Sequence, residues 1–327
     1  MARLVYNELL KIVRKRRMVV VVLILAVLIP IFTYAQARQA EELMKNVGTS
    51  DWRTLLQQQI VDAQNRLASS RLPDEWRVML RLQTEQLQFY LDHDINPTAP
   101  GAPTFVRNFI EQSVALFLPL LVVIVASDIV SSEHSGGTIK LLLTRPVRRW
   151  KILLSKYLAL ILTVSLILLI TGILAYSISG LAFGYQGATL PVLTGFQEQN
   201  GQLVVDHVHL VPQWKYILMA FGLAWFAAIT VATLSFMVSV LVRSTAASMG
   251  IMMAAIISGS LLAQLAPTWT ALKYLAFTNL RLADYLSGKP QMIEGMTLPF
   301  SLTVLSVWSL AAVIIAFAVF TRRDVLA

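Results

Sequence analysis

Six apolar runs decide what this chain can become. They cover approximately residues 18–35, 105–127, 152–178, 214–242, 245–266 and 299–320, and about 20 such residues suffice to cross the hydrocarbon core of a bilayer as a helix. Backbone in hydrocarbon must satisfy its own hydrogen bonds, so runs of this length leave helical spans as the solution. Composition agrees, since 56% of the residues are hydrophobic and 14% are charged, where a soluble domain carries roughly 25% charged. Pro30 and Pro119 fall inside the first two runs and predict kinks there. The second run is the weakest, because Arg107, Glu111 and Gln112 occupy its first turns.

The first run is preceded by RKRR and followed by Ala35-Gln36-Ala37, which is also the outline of a cleavable signal peptide. A retained span is the better reading, because a polar leader of 17 residues precedes it and the charge balance needs it. With the N-terminus in the cytosol, the cytosolic pieces are 1–17, 128–157, Arg243 and the tail. They hold 15 of the 27 Lys+Arg and 4 of the 18 Asp+Glu, a surplus of +11, and the remaining 12 basic and 14 acidic residues leave −2 outside. That asymmetry is the positive-inside pattern. The net charge of +9 then speaks for anionic lipid and a cytosolic partner, and not for nucleic acid, since no basic patch is interleaved with aromatics. There are no cysteines, which excludes a disulfide framework, a thiolate metal site and a cysteine nucleophile.

Between the spans the chain is organised as follows. Residues 1–17 place Leu4, Val5, Leu9, Ile12 and Val13 on one face and Arg3, Lys11, Arg14 and Lys15 largely elsewhere, which predicts an amphipathic helix along the inner leaflet. Residues 36–104 read as an extracellular helical module. Leu56, Ile60, Ala63 and Leu67 recur at 4-3-4 spacing, as do Trp76, Leu80, Leu87 and Leu91, with Ser50 a plausible N-cap. Residues 179–213 form an extracellular loop with β character, where Asn200-Gly201 signals a hairpin. His207 and His209, two apart on a strand, would share a face, but no third ligand is evident and a solvated strand is the plainer reading. Residues 267–298 predict a re-entrant or interfacial helix rich in Leu and aromatics, with Arg281 and Asp284 placed to pair. In the fifth span Ala246, Gly250, Ala254 and Ser258 recur every four residues. They predict a tight helix seam, within the subunit or across a dimer axis.

The chemistry that is missing is informative. GxxxxGK[ST], HExxH, GxGxxG and GxSxG are all absent, so neither a nucleotide site nor a catalytic set is expected in this chain. Mid-span Asp, Glu or His, which an ion-coupled carrier needs on its path, is lacking apart from Glu111 near the outer end of the second run.

The loop between the second and third runs, SSEHSGGTIKLLLTRPVRRWKILLSKYLA, supplies the contrast. Gly136-Gly137 can end a helix, Leu141, Leu142 and Leu143 offer an apolar plug, and Arg145, Arg148 and Arg149 offer rim charges that steer a partner. Pro146 stops the short helix and re-aims the chain. This loop resembles the one between the second and third spans of type-2 ABC transporter permeases. The positions that carry the likeness are Glu133, Gly137-Thr138, Ile139 to Leu143, Pro146-Val147-Arg148-Arg149 and Lys156. Phe320 to Val325, the six spans and the N-terminal helix are also similar to that family, while the insert 36–103 is longer than in its smallest members.

The resemblance implies an all-α transmembrane fold, the six-span ABC exporter permease with an N-terminal interfacial helix and an extracellular helical module. It also implies a role for residues 128–151 as the coupling-helix loop, with Glu133, Gly136, Gly137, Thr138, Leu141–Leu143, Arg145, Pro146, Arg148 and Arg149 engaging cytosolic ATPase subunits. ATP and Mg would reside in those partners, a second permease copy or homologue would complete the transporter, and a drug, antimicrobial peptide or lipid would be the cargo. Both termini, including 321–327, would be cytosolic at the plasma membrane. Two other readings stay open at this stage: a membrane sensor or scaffold whose 36–103 module binds an external ligand, and a carrier that works without an ATPase.

Overall fold

The computed structural model describes residues 1–69, 74–137, 147–199, 202–266, 268–289, 291, 293 and 295–322. Helix α1 (Ala2–Arg14) packs flat against one end of the bundle. Its apolar face divides: Val5, Leu9 and Ile12 turn inward, whereas Val13 and Tyr6 stay exposed. Arg16 takes a left-handed backbone (φ 56°), and that single residue turns the chain into α2 (Arg17–Val47). Helix α2 outruns its expected span of 18–35 by a dozen residues, passing Pro30 without a break and ending on Gly48 at φ 74°. A glycine suits that C-terminal position because a left-handed residue there carries no Cβ penalty.

Helices α3 (Trp52–Leu67) and α4 (Asp74–Asp92) stand beyond the bundle as the expected hairpin. Asp51, not Ser50, caps α3, its carboxylate accepting from the Arg53 amide at 3.3 Å. Leu56, Ile60 and Ala63 are buried as their spacing predicts. On α4, however, Leu82 takes the innermost place and Trp76 is exposed. Arg53 and Asp94 close the pair at 2.6 Å.

The second run is not one helix. It forms α5 (Ala102–Ser113) and α6 (Phe117–Ala126), interrupted at 114–116, and a further turn at 127–130 leads into α7 (Ser131–Ser135). Helix α8 (Arg149–Phe183), α9 (Gln213–Leu241), α10 (Thr245–Leu265) and α12 (Leu298–Arg322) are long and continuous. Among the described residues, six helical segments are thus long and apolar enough to cross a membrane: α2, Phe117–Ser135, α8, α9, α10 and α12. Such helices cohere by side-chain packing and interhelical hydrogen bonds, since lipid tails are as apolar as leucine. The core accordingly fills with small residues on α9, where Ala220, Ala224, Ala227, Ala228 and Ala232 are buried.

Two features depart from an all-helical chain. Strands β1 (Pro191–Thr194) and β4 (His209–Pro212) pair antiparallel, and inside them β2 (Gln197–Gln199) pairs with β3 (Gln202–Val204). The apolar, β-branched stretches PVLT and HLVP explain the first pair. A turn at Asp206-His207 breaks the continuous strand expected there, so His207 and His209 do not share a strand face. Instead the His209 ring Nδ1 lies 2.9 Å from the His207 carbonyl oxygen. The second departure is residues 268–289, which make two 3₁₀ turns (Thr270–Tyr274, Phe277–Asn279) and the short α11 (Asp284–Ser287) in place of one helix. Asn279 accounts for the compact path. Its amide donates to the carbonyls of Lys273 and Leu275 at 2.7 Å each, and its Oδ1 accepts from Ser301 on α12.

A buried charge cluster as the candidate functional site

The side chains that converge most tightly lie where α1, α7 and α8 meet. Lys156, in the second turn of α8, is 1% exposed, an environment in which a lone ammonium would be strongly disfavoured. Its Nζ donates to Glu133 Oε1 at 2.6 Å, to Glu8 Oε2 at 2.8 Å and to the Ile129 carbonyl at 3.3 Å. Lys11 adds a second cation, 2.7 Å from Glu8 and 3.0 Å from Glu133. Two carboxylates and two ammonium groups therefore cancel within the cluster. Burial of Lys11 pulls its pKa down, but the Glu8 hydrogen bond and the charges of Glu133 and Glu8 outweigh it and hold the group above its ordinary value.

One turn away a second set pins the α1–α2 corner. Asp128, 4% exposed, meets Lys15 at 3.0 Å and Arg17 at 2.9 Å. Arg17 also donates to the Ile124 carbonyl at 2.8 Å, and Lys15 to Ser132 Oγ. Beside them the Ser239 hydroxyl accepts from the backbone amides of Val130 and Ser131 at 3.1 and 2.9 Å, and Ser131 Oγ donates to Thr245 Oγ1 on α10. The turn at 127–130 breaks α6 from α7, and these side chains satisfy the amides that the break frees.

The outcome for the residues singled out in the sequence is mixed. Glu133 sits in the centre of the cluster. Gly136 and Gly137 close α7, their amides bonding to the Ser132 and His134 carbonyls, with Gly137 at φ 68°. Arg148 is the N-cap residue of α8, in an extended conformation that lets the helix begin. Arg149 reaches the Thr321 carbonyl at the end of α12 at 3.5 Å. Thr138, Leu141, Leu142, Leu143, Arg145 and Pro146 lie outside the described residues. Between α1 and the start of α8 runs a cleft of about 280 Å³, lined by Leu4, Leu10, Lys11, Arg14, Val147 and Ile152 among others.

Among the described residues, the small-residue stripe does not form a seam within this chain, which leaves the dimer-axis alternative. Ala246, Gly250, Ala254 and Ser258 all lie on the exposed side of α10, and a Cβ on Gly250 would meet nothing within 4 Å. The seam within this chain is made by the opposite face, Ser248, Met252, Ile256 and Gly259. Gly259 is the one position of close approach, where a Cβ would collide with that of Phe277. Sequence reading also missed Glu8 and Asp128 as partners. Glu8 carries a usable signal: it falls on the same helical face as Val5, Leu9 and Ile12, where a charge needs a buried partner.

A second ionic group occupies the far end of the bundle. Glu111, 9% exposed, accepts from Tyr216 Oη at 2.7 Å and from Lys289 Nζ at 2.6 Å. Asp284 stands further off, 3.8 Å from Lys289 and 3.9 Å from Arg281. Burial raises the Asp284 pKa, with Lys289 and Arg281 offsetting it only in part.

Residues 77–326 match a family model described as "protein of unknown function (DUF2705)". The chain belongs to the DUF2705 family. This DUF2705 chain is similar to an "uncharacterized protein YhcI" of Bacillus subtilis strain 168, 28% identical over 329 residues, covering 99% of each. It is also similar to an "uncharacterized membrane protein YdbK" of the same strain, 29% identical over 217 residues, 65% of this chain and 80% of that one. The first likeness takes in α1 and the α3–α4 hairpin as well as the part that the DUF2705 model covers. Six helices able to span a bilayer, together with a membrane-protein relative, mark the chain as a membrane protein.

Proposed function

We propose that the protein is the membrane-spanning subunit of an ATP-driven exporter of the type-2 ABC kind. It would carry no nucleotide site of its own and be driven by separate cytosolic ATPase subunits. The observation that carries the reading is the pairing of Lys156 with Glu133. These are the residues at the two ends of the loop motif, and their bond at 2.6 Å ties α7 to α8, the two elements that flank it. Glu8 adds α1 to the same junction. A membrane subunit that is pushed from outside needs such a frame, because force applied to a slack loop would be lost before it reached the spans. Arg148 and Arg149 stand at the exit of that loop, suited to orienting an acidic partner surface.

In this reading the end bearing α1 faces the cytosol at the plasma membrane, and the α3–α4 hairpin lies outside. The exposed side of α10, with Ala246, Gly250, Ala254 and Ser258, meets a second permease copy or homologue. Nucleotide-driven closure of the ATPases moves the 138–146 segment and, through the Lys156–Glu133–Glu8 base, α1 and the third span together. The cargo class that fits an interior with few charges is hydrophobic or amphipathic.

The test is co-purification. The full chain, purified from its native host, is expected to retain an ABC-type ATPase subunit, and Leu142→Asp or Arg148→Glu is expected to release it. Undiminished retention by both variants would remove the coupling loop from the reading. Failure of the unaltered chain to retain any ATPase would remove the exporter assignment itself.

A further inference from the structure

The far end of the bundle holds a cationic notch that nothing above uses. It is a cavity of about 40 Å³ between the last turns of α10, the break at 114–116 and the segment that follows Phe277. Water-sized groups need about 10–15 Å³ of such space each, so the notch admits about three of them, the size of a carboxylate or of the outer oxygens of a phosphate. Five polar side chains line it: Thr278 and Gln291, which already donate to the carbonyls of Leu272, Leu275 and Lys289, and Arg281, Gln264 and Ser260. Arg281 is half exposed, and its nearest acid, Asp284, is 3.9 Å away, beyond hydrogen-bond reach. Gln264 and Ser260 make no side-chain hydrogen bond among the described residues. The opposing wall is apolar, formed by Phe277, Ile293 and Met296.

Depth argues for the kind of ligand. Helix α10 runs 21 residues, about 31 Å at 1.5 Å per residue, which matches the hydrocarbon thickness. Residues 260–264 therefore sit at the level where hydrocarbon gives way to headgroups. Ile257 and Leu261, both exposed, flank Gln264 on the side of α10 that leads away from the notch towards the bilayer centre. A guanidinium fork without a bonded acceptor, next to an apolar wall and at interfacial depth, matches an oxyanion joined to a hydrocarbon chain. A free inorganic anion would leave the wall unused.

We propose that this notch binds the anionic head of an amphiphile, with Arg281 as the principal ligand, Gln264 and Ser260 as supporting donors, and the chain lying along Ile257 and Leu261. The same chemistry can be presented by a membrane lipid headgroup or by a single-chain amphiphile. The site stands independently of the ATPase reading, because no partner or nucleotide takes part in it.

The experiment titrates the full chain, purified in a neutral detergent, with dodecyl phosphate and reads binding by native mass spectrometry and calorimetry. One site per chain is expected. Arg281→Gln is expected to weaken it at least about tenfold, as loss of a charge-assisted bond requires, and Gln264→Leu to weaken it by a smaller factor. Arg53→Gln, an exposed arginine on the hairpin, is expected to leave it unchanged. Inorganic phosphate alone is expected not to compete. Equal binding by wild type, Arg281→Gln and Gln264→Leu would overturn the site, and competition by inorganic phosphate at matched concentration would overturn the amphiphile. Both altered side chains are exposed, and Gln264→Leu keeps the test decisive should Arg281→Gln fold poorly. Vesicles of phosphatidylglycerol that displace the probe, where phosphatidylcholine does not, assign a lipid headgroup as its source. Vesicles without effect assign a free amphiphile, and the tenfold dependence on Arg281 is expected in both cases.

Discussion

The two ends of the bundle are held by ions in different ways. At the α1 end a lysine that is 1% exposed lies within 2.8 Å of two carboxylates, and a second lysine closes the group. At the other end the central cation, Lys289, has a side chain 41% exposed, with one short bond to Glu111 and one long approach to Asp284. A buried ion group adds little net stability when complete, because desolvation consumes most of the attraction, but it becomes very costly once one member is lost. Where the cation is half exposed, water already screens part of the attraction, so less is lost with it. The first end is therefore an all-or-none joint and the second a yielding one.

The largest expected effect tests that contrast directly. Lys156→Met leaves Glu8 and Glu133 buried without their shared cation and is expected to cost about 3–5 kcal/mol in denaturant unfolding in detergent. Lys289→Met also leaves Glu111 buried, but with Tyr216 still donating to it and only one short ion pair lost, and is expected to cost less, about 1–3 kcal/mol. Equal losses would dissolve the distinction. Replacing the three buried members at once, Lys156→Met with Glu8→Gln and Glu133→Gln, is expected to recover most of the first loss, since the remaining Lys11 is 43% exposed and no unpaired charge stays buried.

Next in size comes Asp284. Its folded pKa is raised by burial, so the folded state binds the proton more tightly than the unfolded chain does. Stability is accordingly greatest below the ordinary aspartate range and declines as pH rises towards the raised value. Asp284→Asn is expected to remove that decline, so that the difference in melting temperature between variant and wild type grows in the variant's favour from acid to neutral pH. A difference that shrinks with rising pH would show that Lys289 and Arg281 outweigh burial. Lys11 has a dependence of the same sign in a much higher pH window. Its pKa is raised by its carboxylate partners, so its tether is complete below the ordinary lysine range and is lost only as pH climbs through the raised value. The protection of the α1 amides, taken relative to the intrinsic exchange rate at each pH, is expected to hold through neutral pH and to fall only in strong alkali.

The smallest effect is expected on the exposed side of α10. Ala254→Leu should leave the melting temperature within about 1 °C, because that side of α10 is exposed, whereas Gly259→Leu should collide with Phe277 and destabilise strongly. If a second copy covers that face, size-exclusion chromatography should show Ala254→Leu shifting the mass of the assembly.

Much of this was legible in advance. Six spans follow from run length alone, and the α3–α4 hairpin and the β2–β3 pair from spacing and an Asn-Gly turn. What was not legible has definite reasons. A four-residue repeat of small side chains marks a helical face but not what it faces, so it leaves open the choice between a seam within the subunit and one across a dimer axis, and the contact within this chain falls on Gly259 instead. Pro119 drew attention as a kink, yet the second run breaks at 114–116, where no proline stands. Lys156 was visible as the residue opening the third span. Its bond to Glu8, across 148 positions of sequence, depends on how α1 docks and leaves no local trace beyond one carboxylate on an apolar face.

The length of α2 has a geometric consequence. At 31 residues it is about 46 Å long, while the hydrocarbon core is about 30 Å thick, so roughly a third of it projects past the bilayer with the hairpin at its tip. Its base is gripped by Arg17 and Asp128. A rod held at the foot magnifies motion at the head: a tilt of about 10° there sweeps the tip sideways by about 8 Å over this length. The hairpin thus rides on a mast, and small angular changes at the ionic foot would be read out on the opposite side of the membrane as displacements wider than a side chain.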